Sequence, residues 1–177
     1  WLSGLTITVV GAVFACCGTA HGQTDYFWNV ASGDYSTGTN WTPTGPPLFI
    51  DNAFINNAGT ATLSSGLGEA FVLEVGSTAG SSGTFNVTGG EFTANERIRI
   101  GEVGAGAATF SGGTVQTPFG EQDIFVGGEN NGGTGTLDWT ATATTADGGG
   151  WLGISATSGT APSQPSVSIL RSSLPNG

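Results

Sequence analysis

Residues 97–116 read RIRIGEVGAGAATFSGGTVQ. Two short apolar stretches, Ile98–Ile100 and Thr109–Phe110, flank a run of glycine and alanine, and the pair Gly112-Gly113 follows. The same order recurs along the chain. Short strands close on a glycine in VLEVG at Gly76, IRIG at Gly101, IFVG at Gly127 and WLG at Gly153, at spacings of 25, 26 and 26 residues. Nine or ten residues later comes a second landmark: GTF ending at Phe85, ATF at Phe110 and GTL at Leu137. DNAFINNAGTATL, residues 51–63, reads as an earlier, looser copy, and beyond Gly153 the pattern fades through SVSIL.

A unit of about 25 residues with two or three short strands cannot bury its apolar face alone, but copies stacked on one another can. Propeller blades need about 40 residues or more, and leucine-rich repeats need an asparagine–leucine ladder that is missing here. Heptads and helical periodicity are also missing. The expected fold is therefore all-β: a parallel β-helix, or β-solenoid, with one repeat per coil. Glycine suits its corners, where φ is positive and a Cβ is costly. About five coils fit between residues 46 and 177, each rising roughly 4.8 Å.

The alignment predicts columns. Leu73, Ile98 and Ile124 stack, as do Val75, Ile100 and Val126 with Leu152 next in line; alternation turns them inward. Phe85, Phe110 and Leu137 are expected as a second inward column, and Val87, Gly112 and Trp139 as a third, the large ring beside the coil without a side chain. An aspartate at Phe110 is expected to unravel several coils, because each buried large apolar residue stabilises by about 1.5–3 kcal/mol.

Composition agrees with a packed fold. Apolar residues make up 37 % of the 177 residues, charged residues only 9 %, and glycine fills 32 positions. Disordered chains combine low hydrophobicity with high charge. The formal charge of −10 reflects scarce bases, namely Arg97, Arg99 and Arg171 with no lysine. Such a surface repels phosphate backbones, so nucleic acid is excluded as a partner.

The opening LSGLTITVVGAVFACCGTAHGQT has an apolar core from Leu5 to Cys17 followed by small residues. It reads as a secretory signal whose basic start is missing, with cleavage before Gln23; a lipoprotein signal at Cys16 is disfavoured by the bulky Phe14. The run is short for a bilayer span. The expected organisation is a signal over 1–22, a lead-in or cap over 23–45 and solenoid repeats over 46–177 that continue past the last residue. Removal of the signal takes with it Cys16, Cys17 and His21, the only cysteines and histidine. No thiol or imidazole chemistry then remains.

Residues 28–63, with Trp28, Asn40-Trp41, GPP and DNAFINNAGTATL, resemble the opening of bacterial autotransporter-associated β-strand repeat proteins. Residues 83–115 are similar to repeats in proteins sorted by a C-terminal PEP-CTERM signal. The resemblance spans roughly residues 28–153. It implies an exported or surface β-solenoid with an anchoring segment at its far end, and it supplies no catalytic residues.

Candidate sites are sparse. The column facing outward is Glu74, Arg99, Phe125 and Trp151, with Arg99 between a carboxylate and a ring and Arg97 expected beside Asp123. It reads either as a register-supporting ladder, worth about 0.2–1 kcal/mol per pair, or as a binding surface with an aromatic platform. Glu96, Glu121 and Asp123 are the nearest approach to a carboxylate pair for glycoside cleavage, although acidic residues at strand ends are ordinarily solvated. No cofactor is expected. Calcium is the one metal considered, with Glu102, Glu129, Asn130 and Asn131 as oxygen donors, but turn formation explains Asn and Gly equally well and the spacing does not match the nonapeptide calcium roll. The expected function is a non-enzymatic structural or adhesive module of the cell surface or extracellular matrix; the alternative is a carbohydrate-binding or carbohydrate-active β-helix. Its expected partners are polysaccharide or matrix components, with no membrane span in the mature chain.

Overall fold

A computed structural model describes residues 22–117, 124–128 and 132–139. Its strands are β1 (Asp25–Trp28), β2 (Ser32–Asp34), β3 (Trp41–Thr42), β4 (Asn52–Ile55), β5 (Asn57–Leu63), β6 (Leu67–Val75), β7 (Ser82–Val87), β8 (Glu91–Ile100), β9 (Ala105–Phe110), β10 (Thr114–Gln116), β11 (Ile124–Val126) and β12 (Thr134–Trp139). They form two sheets. One runs β10-β8-β6-β4-β1-β3 with β11 also on β8, and the other runs β12-β9-β7-β5-β2. Every pairing is parallel except β1 with β3. The described residues form a parallel β-solenoid of about four turns.

The first two columns stand as the sequence predicts. Leu73 pairs with Ile98 and Ile98 with Ile124; Val75 pairs with Ile100 and Ile100 with Val126. All six are buried. Leu152 lies outside the described residues.

The other two columns are shifted. Phe85 and Leu137 both pair with Ala108, while Phe110 lies between Val87 and Trp139. Gly112 belongs to neither column. The cause is the corner before each strand: Gly76 precedes Gly83 by seven residues, but Gly101 precedes its partner Gly106 by only five. A slip of two residues preserves the alternation, so Phe110 is still fully buried although it sits one inward position along. The interior glycines at these corners are sterically required. A Cβ on Gly83 would lie 2.0 Å from the Ile55 carbonyl oxygen, and one on Gly135 would lie 2.2 Å from that of Ile100.

Stacking also begins earlier than expected. Within the segment read as a lead-in, Asp25 pairs in parallel with Asn52 and Ser32 with Thr60. The same segment caps the core. β3 folds back antiparallel on β1, and Trp41 meets Trp28 and Tyr35 edge-on at 5.0 Å each. The Trp41 indole N–H donates to the Tyr35 carbonyl at 2.7 Å. Tyr35 in turn touches Phe85 and Phe92, Phe85 touches Phe110, and Phe110 touches Trp139. An aromatic spine therefore runs along the solenoid axis, its rings in edge-on contacts that add about 0.5–1.5 kcal/mol per pair to burial.

The strands β6 and β8 each turn a corner. Their register breaks between Ala70 and Val72, with Ala70 opposite Ala94 but Val72 opposite Arg97. Through the break alternation is lost: Phe71 and Val72 in β6, and Asn95, Glu96 and Arg97 in β8, are successive half-buried positions. A bulge of this kind bends the strand and re-aims side chains. Here it makes a corner whose outer side carries Phe71, Glu96 and Arg97.

A candidate ligand-contact face

The outward residues of the larger sheet form one column across five successive strands, β1, β4, β6, β8 and β11. Phe27 pairs with Phe54, Phe54 with Glu74, Glu74 with Arg99, and Arg99 with Phe125. The sequence places Glu74, Arg99 and Phe125 together in this order, and the structure does the same; Trp151 lies outside the described residues. Arg99 donates from Nη1 to Glu74 at 3.0 Å and to Glu102 at 3.1 Å. Glu102, considered as a calcium donor, is thus an ion-pair partner.

Arg97 pairs with its chain neighbour Glu96. Its expected neighbour Asp123 lies outside the described residues, as do Glu121, Glu129, Asn130 and Asn131, so the proposed carboxylate group and calcium set cannot be assembled from the residues described. Among those residues, no group of three His, Cys, Asp or Glu side chains could hold a metal ion.

The structure extends the column at its N-terminal end, where the sequence reading missed it. The Phe27 and Phe54 rings stack at 5.1 Å with planes 16° apart, and Phe27 is about half exposed, at 49 %. Beside them the Gln23 amide donates to Asn52 at 3.3 Å, and Asn52 donates to Asp25 at 2.7 Å. The buried Asp51 fixes this end. Its carboxylate accepts the backbone N–H groups of Thr24 at 2.9 Å and Leu48 at 3.1 Å, tying the start of β1 to the turn before β4.

Between the aromatic pair and the bulge lies an open depression of about 300 Å³. Gln23, Asn52, Phe54, Phe71, Glu96 and Arg97 line it, with Glu74 and Arg99 at its far side. Its apolar wall, Phe54 and Phe71, comes from β4 and β6, and its hydrogen-bonding groups come from those strands, from β8 and from Gln23, brought into register by the ladder. The signal for Phe54 was present in the sequence, since Ala53-Phe54-Ile55 alternates as Leu73-Glu74-Val75 does. The offset from Asn52 to Val72 is only 20 residues, against 25 from Val72 to Arg97, and no glycine closes the strand as Gly76 does. Without that landmark the column had no anchor.

The smaller sheet presents a different surface. Thr60, Thr84, Ala107 and Thr136 form one of its outward rows, with Thr62, Asn86, Thr109 and Asp138 beside it. Small polar side chains dominate this face. Comparison of the chain with protein-family models, with curated proteins and with solved structures returns no match.

Proposed function

We propose that this chain is a non-enzymatic structural or adhesive module, exported to the cell surface or extracellular matrix, in which the solenoid acts as a stiff scaffold that presents its flanks to partners. The observation that carries this reading is the stacked, almost wholly parallel ladder around one continuous hydrophobic core with an aromatic spine. A stack of this kind resists bending and protease access, because every interior strand is hydrogen-bonded on both sides and few local openings are available. The signal-like opening and the likeness of residues 28–153 to exported bacterial repeat proteins support export. The acidic composition supports a partner other than nucleic acid.

The experiment is a fractionation of cells expressing the full gene product, paired with adhesion of wild-type and deletion strains to matrix-coated surfaces. The expected result is protein outside the cytoplasm and at least a several-fold loss of adhesion on deletion. Retention in the cytoplasm sinks the reading.

A second reading, a carbohydrate-binding or carbohydrate-active protein, draws on the aromatic pair beside ion-paired arginines on the larger sheet. Of the carboxylates weighed for catalysis, Glu96 is the one described, and it is engaged by Arg97. Contact with glycans is therefore the form of this reading favoured here.

A further inference from the structure

We propose that the depression beside Phe54 is a contact site for a neutral polysaccharide chain lying along the solenoid axis. The proposal deepens the adhesive reading and rests on it for its biological sense, but the site is argued from its own chemistry.

Recognition here has to come from side chains. Strands β1, β4, β6 and β8 each have hydrogen-bonded neighbours on both sides, so this face offers no free edge to which a peptide could add as another strand. The side chains available are an aromatic pair, a further half-buried ring at Phe71, and planar amide, carboxylate and guanidinium groups. Saccharides present C–H faces and vicinal hydroxyls that both donate and accept. An apolar wall with a few convergent polar groups is the general composition of a ligand site, and planar bidentate groups suit paired hydroxyls.

Spare hydrogen-bonding capacity is present. Both ion-pair bonds of Arg99 leave from Nη1, so its Nε and Nη2 take no part in either. The Gln23 amide is exposed and makes one long bond of 3.3 Å to Asn52.

Charge selects the class of glycan. Arg97 and Arg99 are the only cations among the described residues, and both line this depression together with Glu74 and Glu96. The site is therefore balanced, two charges of each sign, on a chain of formal charge −10. A polyanion is repelled by the acidic surroundings and meets guanidinium charge already balanced by Glu74 and Glu96, whereas a neutral polyol needs no net charge to meet it. The depression runs from Gln23, just before β1, across β4 and β6 to β8, about 14 Å at the spacing of neighbouring strands. That length fits several sugar units better than one.

The test is calorimetric titration of the full chain with cellohexaose, mannohexaose and xylohexaose, with hexagalacturonate as the anionic counterpart and a neutral extended octapeptide as the competing class. At least one neutral hexasaccharide is expected to bind with Kd below about 1 mM, hexagalacturonate at least about tenfold more weakly, and the peptide not measurably. Phe54→Ala and Gln23→Ala are each expected to weaken binding at least about fivefold, while Thr84→Ala on the other sheet leaves it unchanged within about twofold. Gln23 is exposed, so its variant tests the site without disturbing the core.

Absence of binding by all three neutral hexasaccharides overturns the proposal. So does tighter binding of the anionic sugar or the peptide, or affinity indifferent to both Phe54→Ala and Gln23→Ala. Adhesion by strains carrying the two variants separates this proposal from the broader one. Normal adhesion with lost sugar binding removes the site from adhesion and leaves the module adhesive. Variant-sensitive sugar binding in a chain that does not support adhesion leaves the site and removes the module's adhesive role.

Discussion

Arg99 and Tyr35 show how differently two polar side chains serve a solenoid. Arg99 lies on the outer face, with 28 % of its side chain exposed and Glu74 at 15 %, so solvent reaches the pair and screens it in part. A double-mutant cycle with Glu74→Gln and Arg99→Gln is expected to give a coupling of about 0.2–1 kcal/mol that shrinks in high salt. A coupling well above that range shows the ladder to be a structural necessity. Tyr35, by contrast, is fully buried, and its hydroxyl donates to the Glu69 carbonyl oxygen at 2.7 Å. Burial, reinforced by the charges of Glu69 and Asp51, pushes this phenol well above its usual range. The folded state then holds a proton that the unfolded chain releases near pH 10. The stabilisation is complete below about pH 10 and is lost as pH climbs from there towards the raised folded value. Chemical denaturation at pH 9 and pH 11 is expected to show that loss, and Tyr35→Phe to flatten it; equal slopes for the two proteins refute the assignment.

At the scale of the element, the corners decide register. Gly101 has φ +76° and an added Cβ would lie 2.0 Å from the Thr134 carbonyl oxygen, whereas Gly80 has the same φ of +76° with nothing within 4 Å of that position. Gly80→Ala is expected to cost about 1–2 kcal/mol, the left-handed backbone penalty alone, and Gly101→Ala clearly more. Equal losses in urea unfolding deny the close approach any role. These corners also mark how far the sequence could be read. Gly76, Gly101 and Gly127 announced where strands end, and the columns anchored on them, Leu73 to Ile124 and Val75 to Val126, stand as predicted. Register after the corner depends on loop length, and alternation is blind to a slip of two, so Phe110 was inward by pattern but opposite Val87 only by structure. The bulge at Asn95 and Glu96, opposite Phe71, was beyond reading as well. It arises from an extra residue in one strand relative to its neighbour, a relation between coils that no single repeat displays. The depression it helps to form was hidden for that reason, although Glu74, Arg99 and Phe125, three of the five residues of the outward column beside it, were legible.

For the whole molecule, the consequence of stacking is that stability is shared between neighbours and not pooled in a single centre. The aromatic spine makes this concrete. Tyr35, Phe85 and Phe92 contact one another beneath the Trp41 cap, while Phe110 reaches Phe85 at 6.2 Å and Trp139 at 5.2 Å. An aspartate at Phe110 removes a fully buried ring and places a carboxylate where nothing can solvate it, a double penalty. Its neighbours β7 and β12 flank β9 on either side, but they are not equally supported. On the β7 side the capped cluster remains whole, since none of its internal contacts passes through Phe110. On the β12 side, Trp139 loses its edge-on contact with Phe110. Phe110→Asp is therefore expected to unravel coils in one direction: hydrogen exchange at 25 °C keeps protection in β5 and β7 and loses it in β9 and β12. Phe85→Ala, which strikes the cluster itself, is expected to cost about 3–5 kcal/mol and to lower protection on both sides. Uniform loss throughout the chain in the Phe110→Asp protein means that the coils fold as one cooperative block, and the directional account of the cap fails.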